Sequence, residues 1–192
     1  MGGAGGGGRT AVAEGQRWGA VVETAAATWI GEVTVAPSNA DNVWVGTGEA
    51  NIFRSSMAGS GIYKSTDAGA SWTHMGLTAT QTIARIIVHP ANPDIVYVAA
   101  SGHEWTDNPE RGVYKTTDGG ESWEKILYVS EETGAIDLVM DPTDTETLYA
   151  ATWQRVREKW NDPRNEPSYG ESGIHRTGDG GETWEPINEG LP

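Results

Sequence analysis

An all-β chain of repeated four-stranded antiparallel sheets is what three features of this sequence predict. One phrase recurs every fifty-odd residues, two strand-like runs precede each copy, and no helical period is sustained anywhere. The phrase, S/T-x-D-x-G-x-x-W, stands at Ser65–Trp72, Thr116–Trp123 and Thr177–Trp184. A worn copy, AVAEGQRW, keeps Gly15 and Trp18 but has Ala11 and Ala13 at the Ser/Thr and Asp positions. The four tryptophans, at 18, 72, 123 and 184, lie 54, 51 and 61 residues apart. Such a period suits the blades of a β-propeller.

Each element of the repeat can be justified in order. IGEVTVAPSNADNVWVGTG (30–48), IARIIVHPANPDIVYVAASG (83–102) and AIDLVMDPTDTETLYAATW (135–153) share one plan. A partly alternating run (strand A) meets Pro37, Pro90 or Pro142 in Asx-rich company, and a second run rich in aromatics and Val follows (strand B). That punctuation signals a hairpin. After a variable insert come strand C (GIYKST, GVYKTT, GIHRTG), the D-x-G turn and strand D (SWTHM, SWEKI, TWEPI). Three complete blades, about 29–76, 83–130 and 135–189, follow the end of an earlier one, so 15–192 reads as a partial propeller and 1–14 as a flexible Gly-rich lead-in.

In the phrase itself, Asp67, Asp118 and Asp179 can accept backbone N–H bonds within the C–D turn. Gly69, Gly120 and Gly181 would supply positive φ or close approach. Trp72, Trp123 and Trp184 can plug the gap beside the outer strand. One equivalent carboxylate per blade, locked to a turn, is the pattern of a structural staple rather than of a catalyst.

Composition narrows the function. The 192 residues carry a net charge of -14, from 27 acidic against 13 basic residues, which disfavours nucleic acid and anionic lipid as partners. There is no cysteine, so disulfide and thiol chemistry are excluded. No apolar run approaches the roughly 18 residues of a membrane span, and the start lacks the basic and apolar regions of a signal peptide. No metal or cofactor is expected: HExxH, an EF-hand loop and a phosphate-binding Gly-rich loop are all missing.

A site, if there is one, belongs on the face that carries the B–C inserts (49–60, 103–111, 154–172) and the D–A connections, where length and polar-aromatic content vary. Glu32, Arg85 and Asp137 each lie five residues before the strand A proline and should ring the channel mouth on that face. They could hold a polar ligand or form an inter-blade ion-pair ring. Glu49, His103, Glu104, Trp105, Trp153, Gln154 and Arg155 follow strand B, with Arg157 and Trp160 further along the longest insert. These could form a ligand platform, an imidazole beside a carboxylate and an aromatic face, or simply anchor their own inserts. His74, His89 and His175 read as structural.

The phrases STDAGASW, TTDGGESW and TGDGGETW resemble the Asp-box, or BNR, repeat of sialidase-like propellers. Their setting, VWVGTGEAN…GIYKSTDAGASWTHMGL and GVYKTTDGGESWEKILY, is similar to large secreted bacterial relatives of the sortilin (VPS10) ectodomain. The resemblance implies an exported, extracellular or periplasmic propeller that binds peptide, protein or glycan, or else part of a glycoside hydrolase. For the latter, Glu32, Asp137, Glu49 and Glu104 are the available carboxylates, to be held about 5–5.5 Å or 6.5–9.5 Å apart. The three-arginine, tyrosine-nucleophile pattern of sialidases is not carried, because among Arg54, Arg85, Arg111 and Arg155 only Arg85 lies on a strand A. The cleft of xyloglucanase-like enzymes, between two propellers, would lie half outside this chain, so an autonomous enzyme is not expected. Propellers normally close with at least four blades, so the remaining blades are expected from the same polypeptide or from self-assembly.

Overall fold

The computed structural model describes residues 9–11, 18–20, 29–50, 57–155 and 170–191, with side chains for all but the first two segments. Three four-stranded antiparallel sheets follow one another along the chain. The first comprises β3 (Ile30–Ala36), β4 (Asn39–Thr47), β5 (Ile62–Ser65) and β6 (Thr73–His74). The second comprises β7 (Ile83–Val88), β8 (Val96–Ala100), β9 (Gly112–Thr116) and β10 (Glu124–Leu127). The third comprises β11 (Thr133–Met140), β12 (Leu148–Gln154), β13 (Gly173–Thr177) and β14 (Glu185–Pro186). The spatial order in each sheet is the sequence order A-B-C-D, as expected of propeller blades. The inner strands β3, β7 and β11 pack side by side.

The worn copy upstream keeps the same pairing. β1 (Arg9–Ala11) and β2 (Trp18–Ala20) form a two-stranded ladder in which Arg9 faces Ala20 and Thr10 faces Gly19. Shifted by the repeat length, these pairs become Tyr63/His74 and Lys64/Thr73, then Tyr114/Lys125 and Lys115/Glu124, then His175/Pro186 and Arg176/Glu185. The C–D hairpin therefore has one register in all four copies. Arg9–Ala11 is thus a strand inside the stretch expected to be lead-in, because the register of the hairpin recruits it. The rest of 1–14 lies outside the described residues.

The box turns explain why the phrase is repeated. Ser65, Thr116 and Thr177 each donate their hydroxyl to the box aspartate, at 2.7, 2.6 and 2.6 Å, and accept the N–H of Gly69, Gly120 or Gly181. The same carboxylate oxygen, Oδ1, also accepts the backbone N–H of Ser71, Ser122 or Thr183, and Oδ2 accepts that residue's hydroxyl. Hydroxyl donors dominate, so Asp67 is held at about 2 and Asp118 and Asp179 are likewise pushed below the usual carboxylate range. Each carboxylate thus ties the two ends of its own turn together.

Successive sheets meet face to face, and the box turn is the pivot. Against the first sheet, Trp123 of the second places its ring edge-on to Trp44 at 6.2 Å and donates Nε1–H to the carbonyl of Met75 at 2.7 Å. In the other direction Lys64 of β5 sits 4.9 Å from the Trp44 ring centre and donates to the carbonyl of Gly119 in the box turn, at 3.0 Å. The second and third sheets repeat the contact. Lys115 of β9, 5.4 Å from the Tyr97 ring centre, donates to the Gly180 carbonyl at 2.8 Å, and the Tyr97 hydroxyl donates to the same oxygen at 3.2 Å. Burial pushes the Tyr97 phenol up to about 12, with the charge of Glu146 adding to it, so it stays a donor.

Apolar area does most of the holding. Trp44 and Ile62 of the first sheet bury against Ile86 and Val98 of the second; Val113 and Tyr97 of the second bury against Leu138 and Leu148 of the third. Each such aliphatic side chain contributes about 1.5–3 kcal/mol, against about 0.5–1.5 kcal/mol for a typical hydrogen bond.

Two outcomes are expected. Because the box aspartates have folded-state values below the roughly 3.9 of an unfolded aspartate, their stabilisation is complete above that value. It is lost as pH falls through about 2, where Asp67 titrates. Thermal midpoints should fall over that window, and Asp118→Asn should make the fall shallower. Gly120 has φ +97°, and a Cβ there would stand 2.7 Å from Cη2 of buried Trp44. Gly120→Ala should therefore lower stability in urea titration by about 2 kcal/mol.

Candidate functional site: the insert face

A repeated backbone irregularity aims three charged residues at one point. Ile30 pairs with Thr47 and Glu32 with Gly46; Ile83 with Ala100 and Arg85 with Ala99; Ala135 with Thr152 and Asp137 with Ala151. Gly31, Ala84 and Ile136 are thus extra residues at the same place in all three inner strands. A β-bulge re-aims the side chain that follows it, and here each bulge immediately precedes Glu32, Arg85 or Asp137.

Those three side chains form a chain of ion pairs across the three sheets. Arg85 Nε donates to Asp137 Oδ1 at 2.8 Å, and its Nη1 lies 3.6 Å from Glu32 Oε1. The Thr34 hydroxyl lies 3.3 Å from the same Glu32 oxygen and 3.0 Å from the Ile86 carbonyl. Asp137 Oδ1 also accepts the N–H of Leu138 at 2.8 Å. The bond to Asp137, partly offset by burial and reinforced by the charges of Asp137 and Glu32, raises the arginine above its ordinary range. All three side chains keep contact with solvent, Arg85 being 41 % exposed. Of the two sequence alternatives, the ion-pair arrangement is the geometry found.

The described parts of the second and third inserts are knitted to the D–A connections beside them. The insert of the second sheet is pinned from below by Asn108 and Arg111, each 1 % exposed. Arg111 donates Nη2–H to the carbonyls of His103 (2.6 Å) and Thr106 (3.3 Å), and Nη1–H to that of Glu132 at 3.0 Å. Burial pushes its pKa down, with Asp107 and Glu132 pulling the other way. Asn108 accepts the His103 N–H, donates its own N–H to the Glu131 carbonyl and bonds Glu110. Gly102, at φ +80°, leaves the space they fill: a Cβ would stand 2.3 Å from Arg111 Cγ. The insert therefore touches the connection that follows it, and through His103 the one that precedes it.

Both ring nitrogens of His103 are engaged: Nε2 lies 3.1 Å from the Ala79 carbonyl, which can only accept, and Nδ1 lies 3.0 Å from the Thr106 hydroxyl. Glu104 is buried, 9 % exposed, rather than displayed. Trp105 is the displayed member of the trio, 50 % exposed. In the third sheet Gln154 anchors its insert: Nε2 donates to Glu132 at 2.9 Å, Oε1 accepts from the Glu171 N–H, and its own N–H meets Ser172. Glu171, its carboxyl held down by the hydroxyls of Ser130 and Thr133, ties that insert to the preceding connection. The Arg155 guanidinium lies 4.9 Å from the centre of the half-buried Trp153 ring. Glu49 is half-buried and donates its N–H to Met57. Arg54, Arg157 and Trp160 lie outside the described residues.

His74, His89 and His175 sit in structural settings. His74 bonds the Ser60 carbonyl, His89 accepts from the Ala91 and Asn92 N–H groups, and His175 is half-buried on β13. No group of three or more metal-ligating side chains occurs among the described residues. No helix among them is long and apolar enough to cross a membrane.

Two features escaped sequence reasoning: the bulges, which only pairing reveals, and the buried Asn108/Arg111 pair. Arg111→Met would leave the carbonyls of His103 and Glu132 without their donor. It should cost about 3 kcal/mol and expose 103–110 to limited proteolysis, while Lys in its place should recover part of the loss.

Comparison with known proteins places this geometry. The Sortilin-Vps10 family model, described as sortilin, neurotensin receptor 3, matches residues 60–191. No curated protein matches. Among solved structures, the chain is similar to the GH74 xyloglucanase from Xanthomonas campestris, with TM-score 0.64 and 17 % identity over 98 % of this chain. It is similar also to a GH74 enzyme of Niastella koreensis, with TM-score 0.63 and 22 % identity over 95 %. An ancestral GH74 enzyme gives TM-score 0.61 and 19 % identity over 86 %. The chain spans 28 %, 27 % and 19 % of the lengths of those three structures. At such identities the likeness speaks for the β-propeller fold alone, whereas the family model covers more than half of the sequence. The chain belongs to the Sortilin-Vps10 family.

Proposed function

We propose that this chain is a binding or scaffolding segment of an exported propeller protein, and that its insert face receives an extended polar ligand. The observation that carries the reading is Arg85, standing between Glu32 and Asp137. A glycoside hydrolase needs two carboxyl groups facing a gap that admits a sugar and, for inversion, a water. Here a guanidinium bridges the pair. Glu104 is buried and the His103 ring is engaged at both nitrogens. What this face offers a ligand is charge of both signs at the mouth and aromatic surface at Trp105 on a stiff insert. Mixed charge favours a peptide segment over a neutral glycan, with Trp105 as the anchor.

The chain's likeness to GH74 enzymes supports one alternative, that it forms part of a glycoside hydrolase whose opposing half lies elsewhere. The two readings separate in one set of measurements. Peptide and glycan arrays followed by calorimetry should find saturable binding without turnover. Trp105→Ala should weaken it about tenfold or more with an unchanged thermal midpoint, and Arg85→Met should weaken charged ligands most. Hydrolysis of xyloglucan or another glycan, abolished by Glu32→Gln or Asp137→Asn, would replace the binding reading with the enzymatic one.

A further inference from the structure

The residue between the aspartate and the glycine of the box differs among the copies: Ala68 in the first turn, Gly119 in the second, Gly180 in the third. All three have positive φ, of 56°, 73° and 68°, and donate their N–H to a carbonyl near the start of strand B, that of Asp41, Asp94 or Glu146. Glycine is the easier residue at such φ, yet the first turn accepts alanine. What surrounds the turn decides where glycine is required. A Cβ on Gly119 would stand 2.9 Å from Lys64 Nζ, and one on Gly180 2.5 Å from Glu146 Oε2 with Lys115 Nζ at 3.4 Å. In the hairpin register the position of Lys64 and Lys115 is held upstream by Thr10. The turn without a capping lysine before it is the one that carries alanine.

Glycine in that place has a chemical consequence. Asp118–Gly119 and Asp179–Gly180 are the two Asp–Gly bonds of the sequence, which has no Asn–Gly. In such a pair the glycine nitrogen attacks the aspartyl Cγ of the protonated acid. The carboxyl OH and the amide proton leave as water, and a succinimide ring closes. Water then reopens the ring. Attack at the main-chain carbonyl carbon leaves the chain running through Cγ, an isoaspartate of unchanged mass. Its extra main-chain methylene and displaced carboxyl group are incompatible with the box turn.

The folded turn holds both reacting groups away from this step. The Gly119 and Gly180 N–H groups are donated to Asp94 and Glu146 at 3.0 and 2.9 Å. The carboxylates accept the hydroxyls of Thr116 and Ser122, or of Thr177 and Thr183, which keep them ionised. The carbonyls of Gly119 and Gly180 are capped by Lys64 and Lys115 of the preceding sheet. We propose that Asp118 and Asp179 are isomerisation sites that stay closed while their turns are seated on the preceding sheet, and that each opens on its own when its capping lysine lets go. The modification needs only water, and it turns a reversible detachment of one turn into a permanent one.

The test ages the folded chain at neutral pH beside the synthetic peptides GVYKTTDGGESW and GIHRTGDGGETW. Isoaspartate at each site is measured by electron-transfer fragmentation, which separates the isomers despite their equal mass. Both sites should convert at least about a hundredfold more slowly in the folded chain than in the peptides. Lys64→Met should speed conversion at Asp118 about tenfold and leave Asp179 unchanged, and Lys115→Met should do the reverse. Conversion of the folded chain at the peptide rate overturns the proposal. So does equal acceleration at both sites, which would place the reaction in the globally unfolded chain, and so do unchanged rates in both variants. A second measurement leaves the lysines in place. Urea added below the unfolding transition should raise conversion at each site in step with amide exchange of its own turn, 117–122 or 178–183. Conversion that does not follow that exchange overturns the proposal as well.

Discussion

A small antiparallel sheet needs a packed hydrophobic face to be stable, and in this protein the contact that packs it is the box turn of one sheet seated on the face of the sheet before it. That contact joins three kinds of interaction at one spot. An aromatic ring packs edge-on or under a lysine, a box glycine lets the turn sit against side chains of the sheet before it, and the lysine caps a carbonyl of the turn. The aspartate takes its hydrogen bonds from its own turn. Its task is to fix the turn so that the glycine and the carbonyl arrive in the right place.

Stacking sheets by their outer corners has a consequence at the inner edge. Adjacent inner strands converge, and the residue after each bulge is brought close to its counterpart on the next sheet. Glu32, Arg85 and Asp137 meet there with alternating sign, so convergence produces an ion-pair chain instead of repulsion. Surface ion pairs contribute little to stability. This one keeps contact with solvent, so the sheets are held chiefly by the apolar contacts between them.

Much of this was legible in the residues. The prolines 37, 90 and 142 aligned the inner strands well enough to pick out Glu32, Arg85 and Asp137, because a fixed offset from a turn survives any change in insert length. The box turns could be read because the hydrogen bonds of their Ser/Thr hydroxyls and aspartates are local, within seven residues of sequence. Lys64 and Lys115 could not be read as latches, since their acceptors lie 55 and 65 residues away on another sheet. Trp123 was expected at a gap between strands; its partner across the sheet boundary, the Met75 carbonyl, depends on packing order and not on local pattern. Among the insert residues, composition pointed to His103, Glu104 and Trp105 alike. Burial separates them, because Arg111 and Asn108 pull one end of the insert into the protein and leave Trp105 at the surface.

The dependence of each sheet on its neighbour's turn is most directly tested by hydrogen exchange in the Lys115→Met variant. Lys115 belongs to the second sheet and its acceptor to the third. Faster exchange confined to the third sheet's turn, at residues 178–183, with the second sheet's own turn at 117–122 unaffected, is the result this account predicts. Acceleration within the second sheet's turn alone, or none at all, would contradict it.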